Sequence, residues 1–385
     1  MGDHLEGFSE KVPVRKLGLI VNPIAGIGGR VGLKGSDGAE IQARAIALGA
    51  VPEAQIRAER ALRRVARIKD EIELLTPPGE MGSDAARACG FVPTVIGSIA
   101  AGETTARDTE KAAAEMARRR VSLLLFAGGD GTARDILNAV GEQVAVLGIP
   151  AGVKVYSGVF GTTPWSAGEM ARSFLTGRIT RLRTMEVMDI DEEEYRQGVV
   201  APRLAGYLVV PFRRGLVQSA KSASPAGERS SMRAIAQDVV ARMEKDHAYI
   251  LGPGTTTRAI AEELGLPKTL IGVDVISNGE VVLADASEAD LLAFLSGGSP
   301  ASVIVTPIGG QGYLFGRGNQ QISHRVLEQV EVERFMVVST LGKINALRGR
   351  PLWVDTGDRG VDEALKGYMK VIIGYHQEIV YRVAC

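Results

Sequence analysis

Residues 123–132 read Leu123-Leu124-Leu125-Phe126-Ala127-Gly128-Gly129-Asp130-Gly131-Thr132, an apolar run that stops at a glycine-rich turn. The run is too short for a typical helix and indicates a buried strand. Ile136, Leu137 and Val140 follow at the spacing of one helical face. The pattern therefore predicts a strand, a tight turn that carries Asp130, and a helix with Thr132 as its N-cap.

The turn holds one ionisable side chain, Asp130, among neighbours that do not titrate. Open α/β sheets bind ligands beyond the carboxyl ends of their strands, and the backbone N–H groups at a helix start can hold phosphate. Asp130 could accept a proton in such a site. An ordinary turn, in which the Asp side chain bonds the next backbone amides, explains the same residues. The residues alone leave both interpretations open.

Two further apolar runs end in glycine-rich turns. The first run, Lys16 to Val21, leads into Asn22 to Gly29, and Val146 to Ile149 leads into Pro150 to Gly152. Strand and helix patterns alternate through residue 150, which predicts a parallel, doubly wound, Rossmann-like α/β domain over residues 1–152. Since the carboxyl ends of parallel strands share one sheet edge, we expect these two turns to lie near Asp130.

Beyond residue 152 the patterns indicate a β-rich, mixed α+β domain over residues 153–350. Residues 351–385 are predicted to pack back on the first domain. The run His247 to Leu251 leads into a second glycine- and threonine-rich turn before a helix, and its residues Gly254, Thr255 and Thr256 suit an anion. The turn lacks the lysine of a P-loop, and helix capping is the alternative.

Composition limits the classes of function. The 45 basic and 45 acidic residues balance, which argues against a general nucleic-acid binder. Two cysteines form no disulfide framework, and the four histidines show no metal-ligand spacing. No apolar segment reaches the roughly 20 residues of a membrane span. We therefore expect a soluble, cytoplasmic protein with small-molecule ligands and no nucleic-acid or membrane partner.

Two charged segments have plain structural explanations. The basic stretch Arg57 to Arg67 alternates with acidic and apolar residues, which predicts a solvated helix face. Asp355 and Asp358 could bind Mg²⁺, but acidic residues in such a place usually form turns. No metal site built from protein side chains is predicted.

Three motifs resemble those of a known superfamily. Gly128 to Thr132 resembles the signature of the NAD kinase and diacylglycerol kinase superfamily, and Val146 to Gly152 resembles the segment that follows it in NAD kinases. Pro150 stands where that segment usually has Asn. Thr306 to Tyr313 resembles the segment by which NAD kinases hold the dinucleotide, with Gly310 and Gln311 in place of two hydroxyl residues. Over most of its length the chain resembles the ATP-NAD-kinase-like branch that includes the acetoin-catabolism protein X group.

This resemblance implies a phosphotransferase. The reaction would move a phosphoryl group from ATP or polyphosphate to the 2′-hydroxyl of the adenosine ribose of NAD, giving NADP. Asp130 would be the catalytic carboxylate, Mg²⁺ would arrive with the nucleotide, and the protein would be a homo-oligomer. The implied binding residues for dinucleotide and donor are Asn22, Gly128, Gly129, Gly131, Thr132, Gly254, Thr255, Thr256, Thr306, Gly309, Gly310 and Tyr313.

Two other functions remain open. A kinase of a lipid or another small alcohol would share Asn22-Pro23 and the Gly128 to Thr132 signature. A nucleotide-binding regulator without catalysis is favoured by Pro150 and by the loss of the two hydroxyl residues at Gly310 and Gln311.

Overall fold

The structure is a computed structural model that describes residues 15–33, 39–99, 104–152, 155–189, 203–213, 226–308 and 312–385. Its first half alternates strands and helices as predicted. In chain order the elements are β1 (Arg15–Val21), α1 (Ala39–Ala47), α2 (Ala54–Val65), β2 (Ile72–Thr76), α3 (Ser83–Ala88), β3 (Thr94–Val95), α4 (Ala106–Arg118), β4 (Leu123–Gly128), α5 (Asp130–Val140), β5 (Val146–Pro150) and α6 (Pro164–Leu175).

The first sheet has five parallel strands in the order β3-β2-β1-β4-β5. All six residues of β4 are buried, which explains why its sequence is a continuous apolar run. Helices α2 and α6 pack against each other and against the sheet, and α4 packs on α5. The predicted doubly wound sheet is confirmed, and its neighbouring strands β1, β4 and β5 place the three glycine-rich turns at one edge.

An antiparallel hairpin follows the first sheet. It consists of β6 (Leu182–Asp189) and β7 (Arg203–Pro211). Val187, Leu208 and Val210 are buried in the same hydrophobic core as the first sheet. The predicted boundary at residue 152 therefore falls before a hairpin that packs with the first domain.

The second half contains a nine-stranded mixed sheet. Its elements are α7 (Ala226–Ala241), β8 (Ala248–Leu251), α8 (Thr255–Glu263), β9 (Asp274–Ser277), β10 (Glu280–Leu283), α9 (Glu288–Ser296), β11 (Ala301–Val305), β12 (Tyr313–Phe315), α10 (His324–Leu327), β13 (Phe335–Val338), α11 (Leu341–Ala346), β14 (Leu352–Val354), α12 (Arg359–Leu365), β15 (Gly367–Gly374) and β16 (Gln377–Ala384). The strand order is β10-β9-β8-β11-β13-β15-β16-β14-β12. Strands β8, β11 and β13 are parallel neighbours, whereas β15 and β16 form an antiparallel hairpin.

The segment 351–385 belongs to this second sheet, since it supplies β14, β15 and β16. Its link to the first domain is Asp355, which follows β14 and bonds Arg57 of α2. Arg57 is only 5% exposed, so the predicted solvated face at this residue is wrong. None of the helices in the described part of the chain has the length and apolar character that a membrane crossing needs.

Candidate active site

Helix α5 begins at Asp130, directly after the turn that follows β4. Gly129 is the N-cap and Asp130 the first helical residue, so the prediction that Thr132 is the N-cap is wrong. Thr132 is buried in the first turn, where its Oγ1 accepts a hydrogen bond of 3.0 Å from Asn22 Nδ2. A Cβ on Gly128 would lie 2.5 Å from the Thr132 side chain, so this position requires glycine. The ends of β1 and β4 are thereby tied together.

The third turn, after β5, closes on the other two. A Cβ on Gly26 would lie 2.2 Å from the carbonyl oxygen of Ala151, and one on Gly129 would lie 3.4 Å from Gly152 Cα. Gly26 also has a φ of +79°, which glycine adopts without strain. The three glycine-rich strand ends thus meet at one edge of the first sheet, as the alternating pattern predicts.

The Asp130 carboxylate is held by the chain that follows this third turn. Its Oδ1 accepts bonds from Ser157 N (2.9 Å) and Ser157 Oγ (2.5 Å), and its Oδ2 accepts one from Tyr156 N (2.7 Å). The side chain is 8% exposed. Burial raises the pKa of Asp130 to about 6, although the bonds from Ser157 and Tyr156 and the charge of Arg317 lower it. An aspartate with such a pKa is ionised at neutral pH and is more basic than an exposed one.

The second sheet contributes Arg317 and Tyr313 to this region. Arg317 follows β12, is buried, and stacks its guanidinium on the Tyr313 ring with Cζ 4.9 Å from the centroid. Burial raises the pKa of the Tyr313 hydroxyl above its usual range. That hydroxyl is fully buried and has no hydrogen-bond partner within the described ranges. A buried phenol without a partner is unusual and is a suitable contact for a polar ligand.

A buried ion pair joins the two sheets beside this cluster. Arg57 NH1 lies 2.6 Å from Asp355 Oδ2, and Arg57 also contacts Glu53 at 3.3 Å. Burial disfavours the charge of Arg57, but Asp355 and Glu53 more than compensate and raise its pKa. A cavity of about 10 Å³, enough for one water, adjoins the pair. Its lining residues are Arg30, Glu53, Arg57, Gly316, Gln320, Ile322, Ser323 and Thr356.

The second predicted anion turn lies at the carboxyl ends of β8 and β11. Gly254 has a φ of +130°, and a Cβ there would lie 2.7 Å from Thr306 Cγ2. Lys343, on α11 after the neighbouring strand β13, donates to Thr256 Oγ1 (2.9 Å) and Thr306 Oγ1 (3.4 Å). The turn itself has no P-loop lysine. A lysine nevertheless reaches it from α11, 87 residues after Thr256 in the chain.

The predicted site residues fall into two groups. The first group surrounds the Asp130 turn and comprises Asn22, Gly128, Gly129, Asp130, Gly131 and Thr132. Gly254, Thr255, Thr256 and Thr306 form the second, with Thr255 exposed at the start of α8. Tyr313 lies with Arg317, and Gly309 and Gly310 lie outside the described residues.

Sequence reasoning missed Ser157, Lys343 and the pairing of Arg57 with Asp355. Each depends on a contact between distant parts of the chain, and no local pattern signals it. The described residues contain no group of three His, Cys, Asp or Glu side chains that could hold a metal ion. Asp355 is paired with Arg57, and Asp358 caps α12 by accepting a bond from Val361 N (3.0 Å). These residues therefore do not fit a protein-bound Mg²⁺.

The model of the ATP-NAD kinase N-terminal domain matches residues 17–179, and that of the ATP-NAD kinase C-terminal domain matches residues 244–383. A solved structure described as "a putative diacylglycerol kinase from Bacillus anthracis str. Sterne" is 18% identical, with a TM-score of 0.25. That match covers 46% of this chain and 47% of the other, so it spans about half of either protein. Among curated proteins, none matches.

Proposed function

Because this chain belongs to the ATP-NAD kinase family, we propose that it transfers a phosphoryl group from ATP or polyphosphate to the 2′-hydroxyl of the adenosine ribose of NAD. The product would be NADP. The observation that carries this proposal is the buried carboxylate of Asp130 at the junction of three strand-end turns, with a pKa of about 6. A base with that pKa is ionised at neutral pH and can take the proton of the attacking hydroxyl.

The chemistry requires little beyond positioning and charge. Phosphoryl transfer depends on aligning the attacking hydroxyl and stabilising negative charge on the transferred group. In our proposal Asp130 orients and deprotonates the hydroxyl. The buried guanidinium of Arg317 supplies positive charge from the opposite sheet. Mg²⁺ would be bound by the phosphates of the donor, since Mg²⁺ keeps several waters and favours phosphate oxygens.

Two groups of residues are proposed to hold the substrates. At the first sheet, the backbone amides of Gly128, Gly129 and Gly131 would contact phosphate, and the bonded pair of Asn22 and Thr132 would shape the turn. The second group would bind the dinucleotide, with Lys343 as its positive charge. Gly309, Gly310 and Tyr313 are proposed to bind the dinucleotide together with Gly254, Thr255, Thr256 and Thr306 of that group. We further propose that the protein works as a homo-oligomer in the cytoplasm.

A nucleotide-binding regulator is the second candidate. The observation that favours it is the state of Asp130, whose carboxylate is nearly buried and accepts three hydrogen bonds from the chain itself. Such bonding also suits an aspartate that only shapes a binding turn. This candidate predicts NAD binding without NADP formation.

The deciding experiment incubates pure protein with NAD, Mg²⁺ and ATP, with polyphosphate in a parallel reaction. NADP is measured with a coupled NADP-specific dehydrogenase, for the wild type and for Asp130→Asn. NADP formation that disappears in the variant supports the kinase and identifies the donor. NADP formation at the wild-type rate in the variant contradicts the role of Asp130. Binding of NAD by calorimetry with no NADP from either donor supports the regulator.

A further inference from the structure

The hydrogen bonds of Ser157 fix the direction in which its hydroxyl proton points. Ser157 is fully buried, and its Oγ accepts a hydrogen bond of 2.9 Å from the backbone N–H of Met188. This bond uses one oxygen lone pair and leaves the hydroxyl proton to point elsewhere. Asp130 Oδ1 lies 2.5 Å away and is a charged acceptor, whereas the Met188 carbonyl oxygen lies 3.4 Å away. The proton therefore points to Asp130, since bonds to a charged acceptor are the stronger ones.

The two oxygens of Asp130 are consequently not equivalent. Oδ1 accepts two bonds, from the amide and the hydroxyl of Ser157, and both of its lone pairs are used. Oδ2 accepts one bond, from Tyr156 N, as far as the described residues show. One lone pair of Oδ2 is then left for an incoming hydroxyl. The arrangement selects which carboxylate oxygen can act as a base.

The segment that carries Ser157 is itself fixed to the hairpin. Gly158 N donates to the carbonyl oxygen of Glu186 (2.8 Å), next to the bond from Met188 N to Ser157 Oγ. Both acceptor and donor lie on β6, which packs on α5. The orientation of the carboxylate at the start of α5 is thus set by β6 through one serine.

We propose that Ser157 is the positioning residue of the reaction, holding Asp130 so that Oδ2 receives the proton of the acceptor hydroxyl. The inference rests on the proposed kinase function. In the transfer step that proton moves to Oδ2 as the hydroxyl oxygen bonds to phosphorus and the bond from phosphorus to the donor oxygen breaks. Ser157 keeps its own proton throughout and touches no substrate atom.

The charged groups around Asp130 define what a pH experiment reports. Arg317, from the turn after β12, lowers the pKa of Asp130. The other charged side chains of α5 and β6 are Arg134, Asp135, Arg183, Glu186 and Asp189, of which Arg134 and Asp189 pair at 2.8 Å. Since Ser157→Ala leaves all of these in place, a change in the acid limb of its rate profile reports the lost hydroxyl.

The experiment compares pH profiles of kcat/KM for Ser157→Ala and wild type. We expect the acid limb to move up by about one pH unit, because an anion has lost a hydrogen bond, and kcat to fall about tenfold. Ser157→Thr keeps a hydroxyl and should restore the limb. The matched control is Ser166→Ala, which removes a buried hydroxyl from the start of α6, away from Asp130, and should leave the limb in place. An unchanged acid limb in Ser157→Ala overturns the inference.

A second measurement separates this inference from the proposed function. The carboxyl carbon of Asp130 is titrated by NMR in the wild type, Ser157→Ala and Ser157→Thr, with no substrate present. A higher pKa in Ser157→Ala and a restored one in Ser157→Thr support the positioning role, even where no NADP is made. Equal values in all three proteins refute it, whatever the activity. If Ser157→Ala does not fold, Ser157→Thr against the wild type still decides, because a pKa differing by more than about one unit would contradict the shared hydroxyl.

Discussion

The two glycine-rich turns, at Gly128 to Thr132 and at Gly252 to Thr257, share a backbone plan and carry opposite charges. Each follows a buried parallel strand and begins a helix. The first presents a carboxylate bonded by backbone amides and one hydroxyl, and the second receives an ammonium group bonded by two threonine hydroxyls. The same strand-turn-helix arrangement can therefore present a basic carboxylate or bind an anion. The charged side chain that lies at the turn decides which of the two it does.

The difference lies in where the charge comes from. Asp130 belongs to its own turn, and its environment changes its pKa. Lys343 lies on α11, which follows the neighbouring strand β13. Its ammonium group brings a positive charge to the uncharged side chain of Thr256. We therefore expect substitutions at the first turn to change catalysis and those at the second to change binding.

The largest effect should come from Asp130→Asn. The variant keeps the size of the side chain but cannot take a proton at neutral pH, so kcat should fall about 1,000-fold. Since the second turn is proposed to bind the dinucleotide, the dissociation constant for NAD should stay within about threefold. Steady-state kinetics and calorimetry measure the two quantities. Equal losses of turnover and binding would remove the distinction between the turns.

The buried ion pair that joins the two sheets, Arg57 with Asp355, gives the next effect. Arg57→Met leaves Asp355 buried with Arg60 at 3.5 Å as its remaining cation, and should lower the free energy of unfolding by about 3 kcal/mol. Adding Asp355→Asn should recover part of this loss. Arg63→Met is the control on the same helix, where the side chain is 71% exposed, and should cost less than about 0.5 kcal/mol. Chemical denaturation decides, and equal costs would contradict the buried pair.

The raised pKa of Asp130 predicts that the stability of the protein depends on pH. The folded state holds the Asp130 proton up to about pH 6, whereas the unfolded state loses it near 3.8. The resulting stabilisation is full below the unfolded value and disappears as pH rises through about 6. Wild type should therefore lose up to about 3 kcal/mol relative to Asp130→Asn across this interval. Denaturation of both proteins at several pH values measures the difference, and a difference that does not vary with pH would contradict the shift.

The smallest effect is expected at Lys343. Lys343→Met should raise KM for the substrate bound at the second turn about tenfold, because a charged hydrogen bond to phosphate is lost, with kcat nearly unchanged. Lys343→Arg should retain most of the affinity. Lys111→Met, which alters an exposed lysine on α4, is the matched control. Unchanged KM values for both NAD and the donor would exclude an anion role for Lys343.

The sequence was sufficient for the parts of the fold that local patterns encode. The apolar run before Asp130 predicts β4 correctly, and the meeting of the three turns follows from parallel strands alone. These elements depend on the periodicity and turn residues of short segments, which the sequence shows directly.

The long-range contacts that complete the candidate site could not be predicted from local sequence patterns. Arg57 pairs with Asp355, 298 residues away, and a helix with alternating charges gives no sign of that. Lys343 meets Thr256 because β8, β11 and β13 are neighbours, a strand order that local patterns do not reveal. Thr132 has the residue type of an N-cap but is used to bond Asn22. In each case tertiary packing decided between options that the local sequence allows equally.

The position of β16 in the second sheet has a consequence for synthesis of the chain on the ribosome. Strand β12, which leads to Arg317, pairs with β14, and β14 is joined to the rest of the sheet by β16. The first sheet can fold as soon as it has emerged, because all its strands precede residue 151. Arg317 can take its place opposite Asp130 only after residues 377–384 have been made. A newly made chain thus presents its carboxylate well before the guanidinium that faces it.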